Sequence, residues 1–210
     1  MIIALDGPSG VGKGTLGCAL ATYYHLAFLD TGLLYRRSAL WMLRHGKDPS
    51  KESDSLEGVK HFQEISAEDS FLRTEEVGKA ASQFAVHLPV RHALLEYQRN
   101  FAHHPPPSYH GAILDGRDIG TVILPDAPYK IYLTAHIEVR AERRFHELQM
   151  QGFLTTFHQV LEEVKARDRR DQSRKNCPLY PASDAFILDT SLLSREEVLA
   201  EVISYIEKRK

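Results

Sequence analysis

The segment Gly7-Pro8-Ser9-Gly10-Val11-Gly12-Lys13-Gly14-Thr15 limits what this chain can be more than any other part of it. An apolar run, Ile2 to Leu5, leads into the segment, and an amphipathic stretch, Thr15 to Tyr24, leaves it. Glycines let the backbone turn tightly, so that successive N–H groups point inward. The start of a helix adds partial positive charge, and Lys13 adds a full one. Such a turn cradles a polyphosphate. The strict form of this pattern puts Ser or Thr directly after the Lys; here Gly14 intervenes and Thr15 follows. A strand before the turn and a helix after it favour this reading over a glycine-rich loop with a solvent-facing Lys, and a nucleoside triphosphate is the expected ligand.

The motif of a short apolar run ending in polar residues recurs. Leu26 to Leu29 ends in Asp30-Thr31-Gly32, Ala112 to Leu114 ends in Asp115-Gly116, and Tyr129 to Leu133 and Ala185 to Leu188 complete a set of five. Runs of this kind read as buried parallel strands. Helical patterns fill most of the gaps: Leu33 to His45, His136 to Gln151, Thr156 to about Arg170, and a final helix behind the capping box Ser194/Glu197. The fold class is therefore α/β, a five-stranded, mainly parallel sheet flanked by helices. Lys47 to Arg73 is polar and without convincing strands; helical stretches near Thr74 to Val86 and Val90 to Ala102 follow it, so residues 47–110 read as a helical insertion. The Arg-rich stretch Arg140 to Arg174 reads as a mobile hairpin.

Lys plus Arg number 26 against 28 Asp plus Glu, a net charge of -2, so no global basic field points to nucleic acid or an anionic membrane. No nucleic-acid or membrane partner is expected, and the chain reads as a cytoplasmic monomer. The apolar start stops at Asp6, short of a secretory or spanning segment. Cys18 and Cys177 lack metal or redox spacing and read as reduced thiols. His103, His104 and His110 surround a Pro-rich loop without a carboxylate or Cys to complete a ligand set, so no protein metal site is assigned. Trp41 and Tyr109 read as packing residues.

A switch-type GTPase carries N-K-x-D and D-x-x-G motifs, and neither occurs. Instead, arginines gather at strand and helix ends away from the loop, which calls for a second anionic substrate. Arg167, Asp171 and Arg174 stand at i, i+4 and i+7, a spacing that puts all three on one helical face. Arg37 reads as a solvated helix charge.

Gly7 to Thr15, with Gly between Lys and Thr, resembles the nucleoside monophosphate kinases. Leu29-Asp30-Thr31-Gly32 with Tyr35-Arg36, Ala80-Ala81-Ser82-Gln83, Val90-Arg91, Asp115 to Val122, Pro125 to Pro128, Arg167 to Arg174 and Pro178-Leu179 are similar, in order, to the bacterial-type cytidylate kinases. The resemblance covers most of the chain and is weakest at 47–73. Thr31 stands where that family usually has Ser, and the short polar stretch has no convincing strands for part of the family's small antiparallel sheet, which puts pyrimidine selectivity in question. It implies a P-loop kinase fold with an ATP-binding core of residues 1–46, 111–140 and 175–210, a monophosphate-binding insertion of 47–110 and a lid of 141–174. It implies transfer of the γ-phosphoryl group of ATP, with Mg²⁺, to CMP or dCMP. Gly7, Pro8, Ser9, Gly10, Val11, Gly12, Lys13, Gly14 and Thr15 would bind ATP. Thr31, Tyr35, Arg36 and Arg117 would hold the acceptor phosphate, Ser82, Arg91 and Asp118 the base, Arg167 and Asp171 the ribose, and Arg174 the acceptor phosphate or the transferring group. Lys13, Arg117, Arg167, Arg170 and Arg174 are the catalytic candidates. Asp115 reads equally as a partner of the metal's waters and as a turn cap, and either Arg143 or Arg144 as an ATP contact on closure. The rivals are a P-loop kinase acting on UMP, AMP or a non-nucleotide alcohol, and a non-catalytic nucleotide-binding module.

Overall fold

The computed structural model describes residues 1–174 and 177–210. Lys175 and Asn176, where the sequence reading starts the third core segment, lie outside the described residues. The chain divides into two compact units, Met1–Leu29 with Ala102–Lys210, and Asp30–Phe101.

The first unit is built on a five-stranded sheet: β1 (Ile2–Asp6), β2 (Ala27–Asp30), β3 (Ala112–Gly116), β4 (Tyr129–Thr134) and β5 (Phe186–Asp189), in the order β2-β3-β1-β4-β5. β1 runs parallel to both β3 and β4, and β4 runs parallel to β5. Strand alternation with helices therefore gives the α/β sheet expected, and each apolar run stops one or two residues before the C-terminal end of its strand, the runs at Leu26 and Ala185 also starting one residue early. Ile3, Leu5, Ile113, Leu114, Ile131 and Leu133 are buried, as continuous apolar strands require when helices cover both faces. α1 (Lys13–Tyr24) and α8 (Arg195–Glu207) cover one part of this core through Leu16, Leu20, Val198, Val202 and Ile206. The capping box of α8 forms in both directions between Ser194 and Glu197. In the register, Asp6 lies opposite Gly116 on one side and Tyr132 on the other. The C-terminal ends of β1, β3 and β4 thus share one edge, the place where open α/β sheets bind ligands.

α6 (Ile137–Met150) and α7 (Phe157–Gln172) pack on each other through Ile137, Ala141, Phe145, Leu148, Val160, Leu161 and Val164. α7 opens on a capping box, Thr156 with Gln159. It ends at Gln172, so Arg174 is not on its face, contrary to the spacing argument. Arg174 lies past the C-cap Ser173 and reaches back to Asp171 at 2.6 Å.

The second unit begins with α2 (Thr31–Arg44), whose start is set by Asp30: its carboxylate accepts the Leu33 N–H at 3.2 Å. α3 (Glu52–Lys60), two short 3₁₀ turns (Phe62–Glu64 and Ser70–Arg73), α4 (Glu75–Phe84) and most of α5 (Leu88–His103) follow. α2 packs against both α3 and α4, so the unit reaches further toward the N-terminus than residue 47. α3 escapes a sequence reading because a short helix of Ser, Asp, Glu and Lys has weak propensity and only a narrow apolar stripe, Val59 being buried.

Arg37 is not a solvated charge. Its Nε donates to the Ile65 carbonyl at 2.6 Å and Nη2 to the Gln63 carbonyl at 3.2 Å, and its guanidinium lies 5.3 Å from the Phe62 ring centroid. It ties the 3₁₀ turn to α2, because that turn has carbonyls with no ladder to join. Trp41 is a packing residue, stacked between His45 and His61 with its indole N–H on Glu64. Tyr109 packs on His25 but stays 40% exposed.

Candidate active site

The glycine-rich turn closes over the end of β1. Gly7 has φ 146°, and a Cβ there would stand 2.2 Å from the Leu133 carbonyl oxygen, so no side chain is tolerated where the turn passes β4. Gly12 takes a left-handed conformation (φ 92°) at the N-cap of α1, no side chain caps the helix, and its first turn carries no acidic residue. The positive end of α1 is therefore not neutralised by a carboxylate of its own first turn. Lys13 is 6% exposed; its ammonium donates to the Pro8 carbonyl at 2.9 Å and stands 3.8 Å from Asp115 Oδ1. These contacts curl its stem over the turn. Ser9 Oγ is buried in the same turn with no hydrogen-bond partner. Backbone donors, a helix N-terminus, an ammonium and an unpaired hydroxyl form a set that suits a polyphosphate. Thr15 is exposed in the first turn of α1.

The residues after β3 are held by Asp6, which the sequence reading used only as the end of an apolar run. Its carboxylate accepts the N–H groups of Ile119 and Gly120 at 2.8 and 2.7 Å. These bonds fix the start of a π-helical turn, Ile119–Ile123, directly behind Arg117 and Asp118. Such turns recur at functional sites. Asp118, 4% exposed, is thereby fixed at the sheet edge. A signal was present: an acidic residue closing a buried strand needs donors, and the amides of a neighbouring loop supply them.

Burial pushes the Asp6 carboxyl up to about 7, helped by the nearby charge of Asp118 and opposed by the Gly120 and Ile119 N–H bonds and by Lys13. A folded value above the unfolded 3.8 means that the folded state holds this proton longer. Its contribution to stability is full below that value and is lost as pH rises through about 7. Denaturant melts of wild type should therefore show stability falling between about pH 4 and 7 relative to D6N. Parallel pH profiles for the two proteins would contradict this assignment.

Two arginines grip Asp171, which is 2% exposed. Arg117 Nε lies 3.0 Å from Oδ2, and Arg174 Nη2 lies 2.6 Å from Oδ1. Burial alone would raise the Asp171 carboxyl, but Arg117, Arg174 and Arg167 outweigh it and hold it below its ordinary value. Arg117, Arg167, Asp171 and Arg174 thus form one cluster in the first unit. Arg170 is exposed, with Nε on the carbonyl of Ala166 one turn back, and is not brought into that cluster. Arg143 donates to the hydroxyl and carbonyl of Thr190, whose hydroxyl is also 3.2 Å from the Val11 carbonyl. Arg144 pairs with Glu147 at 2.7 Å.

In the second unit, Thr31 is buried in the first turn of α2. Arg36 Nη1 donates to the Leu72 carbonyl at 2.6 Å. Tyr35 lies between the ring of Phe84, at 5.7 Å, and the guanidinium of Arg91, at 5.9 Å. Arg91 is 8% exposed and donates to the Ala85 carbonyl at 3.3 Å. Ser82 Oγ is buried without a hydrogen-bond partner. A buried hydroxyl left unpaired is a group that a ligand can satisfy.

Among the described residues, no three His, Cys, Asp or Glu side chains gather as metal ligands, and no helix is long and apolar enough to cross a membrane.

The chain is similar to known proteins over nearly its whole length. A family model described as cytidylate kinase matches residues 3–208. A cytidylate kinase of Azorhizobium caulinodans is 46% identical over 210 residues, all of both chains. One of Rhodospirillum rubrum is 44% identical over 206 residues, 98% of this chain and 97% of that one. Among solved structures, that of an uncharacterized protein from Eubacterium ventriosum superposes with a TM-score of 0.57 at 15% identity, covering 99% of this chain and 98% of that one, a likeness of fold.

Proposed function

Since this chain belongs to the cytidylate kinase family, we propose that it transfers the γ-phosphoryl group of ATP to CMP and dCMP, giving ADP and CDP or dCDP. The observation that carries this reading is a glycine-rich turn suited to phosphate, with a buried Lys13 curled over it, in a chain that matches the family from residue 3 to 208. The attacking group is an ionised phosphate oxygen of the monophosphate. It needs no general base, only alignment and neutralised charge. A bond forms between that oxygen and the γ-phosphorus, the bond to the β–γ bridging oxygen breaks, and ADP leaves with the electron pair.

Gly7 to Thr15 take the donor's phosphates, with Lys13 on the β- and γ-groups. Thr15 and Asp115 would hold a donor-bound Mg²⁺ through its waters, and the ion would supply further charge neutralisation. By the family resemblance, Arg117, Arg167, Asp171 and Arg174 serve the acceptor's phosphate and ribose, Thr31, Tyr35 and Arg36 its phosphate, and Ser82 and Arg91 its base. The guanidinium suits phosphate because its planar fork bonds two oxygens at once. We read the chain as a cytoplasmic monomer acting on small molecules; its net charge of -2 offers no basic field to nucleic acid or an anionic membrane.

Cytosine presents an amino donor where uracil presents a carbonyl acceptor. Asp118, a buried carboxylate, accepts from that amino group and repels the carbonyl. D118N should therefore lower kcat/KM for CMP and raise it for UMP, narrowing the ratio by about 10²-fold, in line with one bidentate pair's ~1–3 kcal/mol. Steady-state assays with both acceptors measure this, and an unchanged ratio would remove Asp118 from base recognition.

A further inference from the structure

Arg140, in the first turn of α6, makes more contacts than the chemistry above uses. It is 5% exposed. Its Nε donates to the Ala135 carbonyl at 3.0 Å, and its two terminal nitrogens grip Asp168 of α7 at 3.0 and 2.6 Å. Nη1 also lies 3.3 Å from the carbonyl of Ser9, inside the phosphate-binding turn. A Cβ on Gly10 (φ 78°) would stand 3.1 Å from the Cβ of Arg140, so the helix backbone sits directly on the turn.

Stability does not explain this pair well. Its side chains are 6% and 13% exposed, and a buried ion pair is often no more stabilising than apolar residues of the same volume. Its geometry has another consequence. The Ser9 carbonyl and the Gly10 N–H belong to one planar trans peptide and point in opposite directions. Drawing the carbonyl toward Arg140 turns the Gly10 N–H away from α6. At the other end of the pair, Asp168 adjoins Arg167 and precedes Asp171 by three residues, so fixing Asp168 fixes the rotation at which α7 presents both.

We propose that Arg140 and Asp168 are positioning residues that lock the phosphate-binding turn and α7 into one geometry, with Arg140 orienting the Gly10 amide toward the donor's phosphates. Neither touches the reacting atoms. The proposal rests on the kinase reading, because it gives the locked parts their roles. A misplacement of about 1 Å in such a system costs on the order of 10²-fold in rate.

The test compares R140K and D168N with wild type, measuring Tm, kcat, and separate KM values for ATP and CMP. Both variants should lose about 10- to 100-fold in kcat. R140K, which cannot hold Asp168 and Ser9 together, should also raise the KM for ATP. D168N leaves Arg140 on Ser9 and should raise the KM for CMP while that for ATP stays within about twofold. The double variant should be little worse than R140K alone, because the two residues act as a unit. Lowered Tm with kcat and both KM values unchanged would overturn the proposal and leave the pair a mere hairpin clamp. If the variants do not fold, hydrogen exchange in wild type decides: the Gly10 amide should be protected on adding ATP and Mg²⁺, and unaltered exchange would overturn the orientation claim. Wild-type turnover of CMP separates the two readings. Its absence removes the kinase assignment itself, whereas its presence beside unaffected variants removes only the role of this pair.

Discussion

Replacing Lys13 with Met should lower kcat by about 10³-fold, the scale seen when one preorganised donor to a developing charge is lost from a water-poor site. Lys13 is the one full positive charge in the turn from Gly7 to Thr15, and its ammonium is held by the Pro8 carbonyl and by Asp115 rather than left to solvent. A placed charge needs no reorganisation as charge shifts toward the bridging oxygen. Met keeps most of the stem and its packing, so the loss should fall on the rate rather than on folding. Rapid-quench measurement at saturating ATP and CMP, with a thermal melt of each protein, separates these effects. A K13M protein within tenfold of wild type would place the donor phosphates elsewhere.

D171A should give the largest loss of stability. Removing the carboxylate leaves Arg117 and Arg174 facing each other around a buried position, and breaking such a pair costs about 3–5 kcal/mol. For a chain of this size that corresponds to a Tm lower by roughly 10 °C. The pH dependence follows from the lowered carboxyl. With the folded value below the ordinary 3.8, the contribution is full above 3.8 and is lost as pH falls through the folded value. Wild type should thus lose this stability only in acid, and the difference between the proteins should shrink there. Melts from pH 7 to pH 3 test this; a constant difference across that range would mean that the arginines do not hold the Asp171 carboxyl below its ordinary value.

The sheet was legible in the sequence because each strand is an apolar run stopped by a polar residue, largely buried in the three central strands though not in β2 and β5, and because the turn from Gly7 to Thr15 fixes what precedes and follows it. The capping box of α8 was legible for the same local reason, as side chain and backbone lie three residues apart. α3 was not, since packing on α2 rather than propensity makes it a helix. The site shows the same division. Candidates adjacent in sequence, such as Arg117 and Asp118, could be named from the resemblance. The supporting contacts, Asp6 to the amides of the π-helical turn and Arg140 to Asp168, span 113 and 28 residues; the buried Asp6 announces a need for donors, but no local pattern names the partner in either pair. Arg37 shows the converse: a helix charge beside Arg36 looks idle until a turn 26 and 28 residues away supplies the carbonyls it bonds.

The most direct test is ADP formation from ATP and Mg²⁺ in the presence of CMP, dCMP, UMP, AMP or no acceptor. Turnover with CMP and dCMP should lie far above that with UMP or AMP, with little hydrolysis without an acceptor. Transfer to none of these monophosphates, or ATP hydrolysis that proceeds as fast without an acceptor as with CMP, would contradict the kinase reading.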